Sequence, residues 1–378
     1  MRAVAAPDPQ RGRLKLTPEG LAWLAAAAVL GLLGWSKSLN LLLMLSYAML
    51  ALLVLNGVLA KLHAGRARAR RLLPASVFAG ETVETSIRLE NAGSRAATLQ
   101  VADRGREWAV FDLAGAEGVA FPRIEAFTQR GRMRLPPLSI LAAYPFGFLS
   151  FERVEGEGDA VAVLPALGEA EPDGMRNWLL RSASGEGRSR KVLRRVTHDH
   201  ADVRGVRPYR PGDSLRAVHW RSSARRRELM VCEYDAAPSP ELILVVDAWL
   251  PAEATDADRE RLEATLSLAS TIAVTWVRAA GTRVALAASG EVSIISGEAM
   301  LREALIPLAD AAGSPSPAAP DAASLGRMAA RAARVVVSPR ANSPLADELA
   351  ASLGRPFARL DPQRPLPWYR PPRRGGAT

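Results

Sequence analysis

Hydrophobic positions near the start of the chain fall in two unbroken blocks. Gly20 to Ser36 (GLAWLAAAAVLGLLGWS) carries no charge, and after Lys37 a second uncharged block runs from Ser38 to Ala60. Crossing the hydrocarbon core of a bilayer takes about 20 apolar residues, within a range of roughly 17–25. The second block is long enough outright, and the first lies at the short end. Neither has the polar stripe of a half-buried core helix, so the pattern predicts a transmembrane helical hairpin over residues 17–62. A cleaved signal peptide is the alternative for the first block, whose charged front would be Arg11, Arg13 and Lys15; the stop-transfer-like second block argues against it. Arg2, Arg11, Arg13 and Lys15 precede the blocks, Lys61, Arg66, Arg68, Arg70 and Arg71 follow them, and the connection holds only Lys37. The positive-inside rule then puts the basic N-terminus (1–16) and the body after the hairpin in the cytoplasm. Trp23, Trp35 and Tyr47 are candidate interfacial anchors, with Tyr47 deep for that role, and His63 reads as interfacial.

Beyond residue 72 the period drops to two. Thr82–Glu90, Ala97–Val101, Gly118–Phe127, Gly131–Leu135 and Val161–Leu164 alternate apolar and polar positions between Gly, Pro and Asn turns. Residues 72–165 therefore read as a small antiparallel β-sandwich. Residues 166–203, rich in Arg, Gly and Ser, read as a mobile basic connector. From Glu241 the pattern alternates strand and helix: Leu242–Asp247, the helix Asp256–Ala280, strands Arg283–Ala287 and Val292–Ile295, and the helix Glu298–Asp310. After the Gly313–Pro320 linker come a helix to Ala333, the strand Val335–Val337, the helix Pro344–Leu353 and a strand near Phe357–Leu360. Strands spaced by helices predict a mostly parallel sheet covered on both faces, so 204–361 reads as an α/β domain. The Pro-rich tail, 362–378, reads as extended and unpacked.

Composition narrows the chemistry. Net charge is +10 and the basic residues are almost all arginine, with only Lys15, Lys37, Lys61 and Lys191 as lysines. A single cysteine, Cys232, excludes internal disulfides and a cysteine-built zinc site, and its apolar surroundings read as a buried thiol. No G-x-x-x-x-G-K-[ST] loop is present, and Gly185-Glu186-Gly187 is too isolated to cradle a phosphate. His198-Asp199-His200, with His219 nearby, matches no standard metal spacing and reads as a solvated turn.

The segment 202–235 (DVRGVRPYRPGDSLRAVHWRSSARRRELMVCEYD) holds eight arginines between Arg204 and Arg227, interleaved with Tyr209 and Trp220. Tyr209, Pro211, Gly212, Asp213, Arg216, Val218, His219, Trp220, Ser223, Ala224, Arg225, Leu229, Val231 and Glu233 resemble the signature string of domain-of-unknown-function family 58 (DUF 58), with valine for the usual isoleucine at Val218. Leu73-Pro74, Phe78-Ala79-Gly80-Glu81, Leu89-Glu90-Asn91, Arg130-Gly131, Leu135-Pro136-Pro137 and Tyr144-Pro145-Phe146-Gly147 resemble its further motifs.

The resemblance implies a bacterial inner-membrane protein with two spans, whose C-terminal part is a von Willebrand factor A-like α/β domain. It also implies partnership with a MoxR-type AAA+ ATPase and contact with other envelope proteins. Domains of that kind often hold a metal through D-x-S-x-S after the first strand. Here Asp247-Ala248-Trp249-Leu250-Pro251 keeps the aspartate and lacks both serines, which makes a degenerate site and predicts no metal and no cofactor.

Asp213, His219 and Ser222 or Ser223 contain the residue types of a hydrolase triad without a G-x-S-x-G elbow. Asp213 at its Pro-Gly turn suits a structural role better, and His219-Trp220 reads as packing a core edge. The arginine belt can be an ion-paired network with Asp202, Asp213, Glu228, Glu233 and Asp235, a surface for anionic lipid, or a dock for an acidic protein. Nucleic acid is disfavoured because no fold signature supports it. The expectation is a non-enzymatic membrane-anchored adaptor that works with an AAA+ ATPase. Its interaction residues are Tyr209, Pro211, Gly212, Asp213, Arg216, His219, Trp220, Ser223 and Arg225. The lipid bilayer is engaged through residues 20–60, and a hydrolase or transferase centred on Asp213, His219 and Ser223 is the alternative.

Overall fold

The computed structural model describes residues 12–183, 203–210, 218–234, 241–280, 283–329 and 332–372. The chain divides into two compact units: Met1–Val77 with Glu81–Phe127 and Arg132–Ala162, and Phe78–Gly80 with Thr128–Gly131 and Val163–Thr378.

The first unit opens on β1 (Arg13–Leu16), α1 (Pro18–Ser36) and α2 (Asn40–Arg66). Residues 13–16, read from sequence as part of a basic N-terminus, form a strand. A four-residue segment carrying two basic side chains is too short to show period two. Thr17 caps α1 by accepting from the Gly20 amide at 3.0 Å, with Pro18 at a position where no amide donor is needed. Both helices are long and apolar enough to cross a membrane. They pack on each other through small residues. Ser46 Oγ donates to the Ala27 carbonyl at 2.9 Å, and a Cβ at Gly34 would lie 2.9 Å from the Leu43 nitrogen. Close backbone approach of this kind is how apolar helices associate without a hydrophobic driving force between them.

The end of α2 has a different environment. Ala60 and Ala64, one helical turn apart, are fully buried among Ile87, Leu89, Leu99, Val101 and Ile140. The second apolar block therefore serves two surroundings, and its last turns belong to the core of the β unit.

The chain continues as β2 (Ala67–Leu72), β3 (Ser76–Phe78), β4 (Thr82–Asn91), β5 (Ala97–Asp103), β6 (Arg106–Leu113) and β7 (Gly118–Ala126). Then come β8 (Gly131–Leu135), β9 (Leu138–Ala142), β10 (Leu149–Glu155) and β11 (Asp159–Leu164). The sheets run β1-β10-β9-β5-β6, β2-β4-β7 and β3-β11-β8. The antiparallel, alternating character read from sequence holds, as in β5, whose odd positions are buried and even ones half-buried. Arg71 ties this unit internally. Its side chain is 1% exposed and donates to Asp103 at 2.7 Å, Asp159 at 2.5 Å and the Pro136 carbonyl at 2.9 Å. Asp103 also receives Arg123 and Arg104.

The second unit carries β12 (Glu169–Ala170), α3 (Pro172–Ala183), β13 (Val203–Pro208), α4 (Trp220–Arg226), β14 (Met230–Tyr234), β15 (Leu242–Val246) and α5 (Asp256–Ala280). It goes on with β16 (Val284–Ala288), β17 (Glu291–Ile295), α6 (Glu298–Ala304), α7 (Ile306–Asp310) and α8 (Ala322–Ala329). The last elements are β18 (Ala333–Val337), α9 (Pro344–Leu353), β19 (Ala358–Leu360) and β20 (Tyr369–Arg370). The main sheet has the order β17-β16-β15-β18-β19, parallel except for β17 at one edge. Its central strand is buried throughout, the continuous apolar run expected of a strand covered on both faces.

Four readings change. The connector is not featureless: α3 buries Met175 and Leu179, spaced i and i+4, in the α/β core. The Arg-rich stretch from 184 to 202 lies outside the described residues. The helix read over Glu298–Asp310 breaks at Leu305, because Pro307 in the following turn has no amide to donate. The helix read to Ala333 is described over Ala322–Ala329, and Ala333 itself opens β18. The described part of the tail, up to residue 372, is packed: Trp368 is 4% exposed, its ring 6.0 Å from that of Trp178, and β20 pairs antiparallel with β12.

Candidate functional site

The signature string builds a small β-α-β element. β13 and β14 pair antiparallel, with Val206 opposite Cys232 and Pro208 opposite Met230. Between them Val218 bridges to Val231, and α4 follows. His219 caps α4: its Nδ1 accepts from the Ser222 amide at 3.2 Å, and its own amide donates to the Met230 carbonyl at 2.8 Å. Ser223 is buried and latches the helix to the strand, accepting from the Met230 amide at 2.8 Å and donating to the His219 carbonyl at 3.1 Å. Arg227 then closes the helix in the left-handed region at φ 57°. Tyr209, half-buried, donates its amide to the Leu229 carbonyl at 2.8 Å.

His219 and Ser223 are thus committed to holding the element together through backbone partners. Trp220 is different. It was expected at a core edge, and it is 67% exposed. Arg221, Arg225, Arg226 and Arg227 are exposed around it, and none forms an ion pair among the described residues. Leu229 and Val206 are exposed as well. Pro211, Gly212, Asp213 and Arg216 lie outside the described residues, as do Asp202, Asp235, His198, Asp199, His200 and the side chains of Cys232 and Glu233. The structure therefore brings Tyr209, His219, Trp220, Ser223 and Arg225 onto one element.

A second constellation lies where β15 ends. Asp247 is fully buried, and its Oδ2 accepts from Ser343 Oγ at 2.7 Å, Ser338 Oγ at 2.9 Å and Arg340 Nε at 3.2 Å. Its Oδ1 has no hydrogen-bond partner. Arg340 also lies over the Trp249 ring, 4.9 Å from its centroid. The two hydroxyls missing from the segment after Asp247 are supplied by the loop after β18, which sequence reasoning did not connect because Ser338 and Ser343 lie more than 90 positions away. Fixed cations repel one another strongly in a low-dielectric setting, and the Arg340 guanidinium already neutralises this carboxylate. A hard cation also needs several oxygen ligands with free lone pairs, whereas Oδ2 is spent on three donors. The donor set does not fit a divalent ion, and among the described residues no group of three or more His, Cys, Asp or Glu could hold a metal.

Arg130 was passed over in sequence as a mere motif residue. It donates to the carbonyls of Leu308 (2.7 Å), Ala309 (3.1 Å) and Ala311 (2.7 Å) and pairs with Glu263 at 2.7 Å. It caps the otherwise unsatisfied carbonyls at the end of α7. A cleft in the first unit, about 830 Å³, is walled by Arg106, Glu107, Trp108, Arg123 and Ile124, and it gathers no nucleophile beside a base.

Residues 205–356 match the family described as "Protein of unknown function DUF58". A Bacillus subtilis protein, "Uncharacterized protein YeaD", is 35% identical over 71 residues, 19% of this chain; the chain spans only 17% of that relative's length. Among solved structures, the CARDB domain of a Pyrococcus furiosus protein, in complex with di-metal ions, aligns over 24% of this chain and 91% of its own. Identity is 15% and the TM-score 0.17, too low to bear on the fold. The match contains the whole signature string from Tyr209 to Glu233, so over residues 205–356 the chain carries the similarity to the DUF58 family.

Proposed function

We propose that this protein is a membrane-anchored adaptor without an enzymatic centre. It docks an acidic cytosolic partner, a MoxR-type AAA+ ATPase, through the exposed face of the signature element, and so serves the assembly or maturation of membrane or envelope proteins. In this reading α1 and α2 form a two-span hairpin in the bacterial inner membrane. Both termini and the main body lie in the cytoplasm, and the second unit is von Willebrand factor A-like.

The observation that carries the proposal is the exposure of Trp220 among Arg221, Arg225, Arg226 and Arg227 on an element whose inward groups are already satisfied. Arginine forks orient carboxylates, and a large exposed indole beside them is the usual chemistry of an interface anchor. A solvated face needs neither. The hydrolase alternative at Asp213, His219 and Ser223 draws no support from the described geometry, where both the imidazole nitrogen Nδ1 and the serine hydroxyl bond to backbone groups.

The test replaces Trp220 and Arg225 together by alanine in the full chain and asks which proteins co-purify from gently solubilised membranes. Loss of an ATPase partner, with the variant folded, supports the docking face. Unchanged retention of every partner removes it.

A further inference from the structure

We infer that the loop joining β9 to β10, residues 143–148, seats in the lipid headgroup layer and fixes how deep the first unit sits on the bilayer. The inference rests on the membrane reading of α1 and α2 and goes beyond it, since a spanning hairpin alone does not require the β unit to touch lipid.

The two helices hold the loop at a defined level. In α2, Asn56 is fully buried; its Nδ2 donates to the Ala143 carbonyl at 3.0 Å and its Oδ1 accepts from the Leu149 amide at 2.7 Å. At the start of α1, Thr17 donates its hydroxyl to the Gly147 carbonyl at 2.6 Å, and a Cβ at Gly20 would overlap the Phe148 carbonyl. Trp23 stacks on Phe148 with centroids 4.4 Å apart. Gly20 and Asn56 therefore mark the loop's level on the two helices.

From that level to the turn at Lys37, each helix offers 17 residues, Gly20–Ser36 and Asn40–Asn56. At 1.5 Å per residue that is about 25 Å, whereas the hydrocarbon core is about 30 Å thick. A hairpin that spans must bring the loop to the hydrocarbon boundary, because Ala60 and Ala64 beyond it are enclosed by the β core.

The loop's chemistry matches that position. Tyr144 is 49% exposed and Phe146 45%, the latter stacked on Phe148. Leu14 and Leu16 of β1 are exposed on either side of Lys15, whose ammonium pairs with Glu152. Aromatic rings and snorkelling lysines are the residues enriched where acyl chains meet headgroups.

The experiment uses the full chain in a Cys232→Ala background, reconstituted in nanodiscs of phosphatidylcholine and phosphatidylglycerol with doxyl-labelled acyl chains. Single cysteines at Phe146→Cys, Tyr144→Cys, Leu32→Cys and Ile124→Cys carry an environment-sensitive fluorophore. The expected result is loss of fluorescence at 144 and 146 with shallow quenchers, loss at 32 with deep quenchers, and no loss at 124. Having two loop positions keeps the test valid if one variant fails to fold. Quenching at 32 with none at 144 or 146 overturns the loop assignment and leaves the membrane reading standing. No quenching at 32 overturns both, and equal quenching at 124 overturns the loop assignment.

Discussion

Replacing Ser223 with alanine separates a structural latch from a nucleophile. The serine Oγ is the acceptor for the Met230 amide at 2.8 Å, and Met230 is fully buried, so no water can take its place. The same hydroxyl closes the turn of α4 by donating to the His219 carbonyl. Stranding one buried amide costs about 1–3 kcal/mol, which raises local opening of the β13–β14 pair about 5- to 150-fold at room temperature by the same estimate. Hydrogen exchange of the full chain, followed by mass spectrometry, reads this directly. Peptides containing Met230 and Val231 should lose protection by that factor, while peptides from β15 and α5 stay as in the parent chain. If Ser223→Ala leaves Met230 and Val231 as protected as before, the latch is refuted and the hydroxyl is free for other work.

Three other outcomes follow from the packing. Burial pushes the Asp103 carboxyl up, but Arg71, Arg123 and Arg104 together hold it below the ordinary carboxylate range. A depressed folded value stabilises above the unfolded pKa of about 4 and is lost as pH falls through the folded one. The β unit should thus lose stability on acidification below about pH 4, and Asp103→Asn should flatten that dependence in a pH series of unfolding midpoints. Asp247→Ala strands Ser338, Ser343 and Arg340 and should cost on the order of 3 kcal/mol in denaturant unfolding, with Asp247→Asn costing less. Trp368→Ala should destabilise the α/β unit by about 3–5 kcal/mol, whereas an unpacked tail would show no change.

What was legible in the sequence follows from where the physics is local. The two apolar helices, the helices Asp256–Ala280 and Pro344–Leu353 and the strand Gly131–Leu135 were placed at their observed boundaries or near them, because their periodicity lies in contiguous residues. The helix α3 was missed because its two core contacts, Met175 and Leu179, sit in a polar, arginine-bearing stretch. The tail was misread because proline content masks a single buried tryptophan. At the candidate site, sequence singled out His219, Trp220 and Ser223 but inverted the exposure of Trp220, since an indole's burial is decided by neighbours that periodicity does not reveal. The serines around Asp247 reach it only through the parallel pairing of β15 with β18.

The central claim is that the exposed arginine and tryptophan face docks a nucleotide-dependent partner. Its most direct test is co-purification of the tagged full-length chain from gently solubilised membranes, with and without ATP, read by mass spectrometry. The account predicts an AAA+ ATPase whose retention changes with nucleotide and falls away in the Trp220→Ala, Arg225→Ala variant. Recovery of the folded protein alone, at good yield under both conditions, would contradict it.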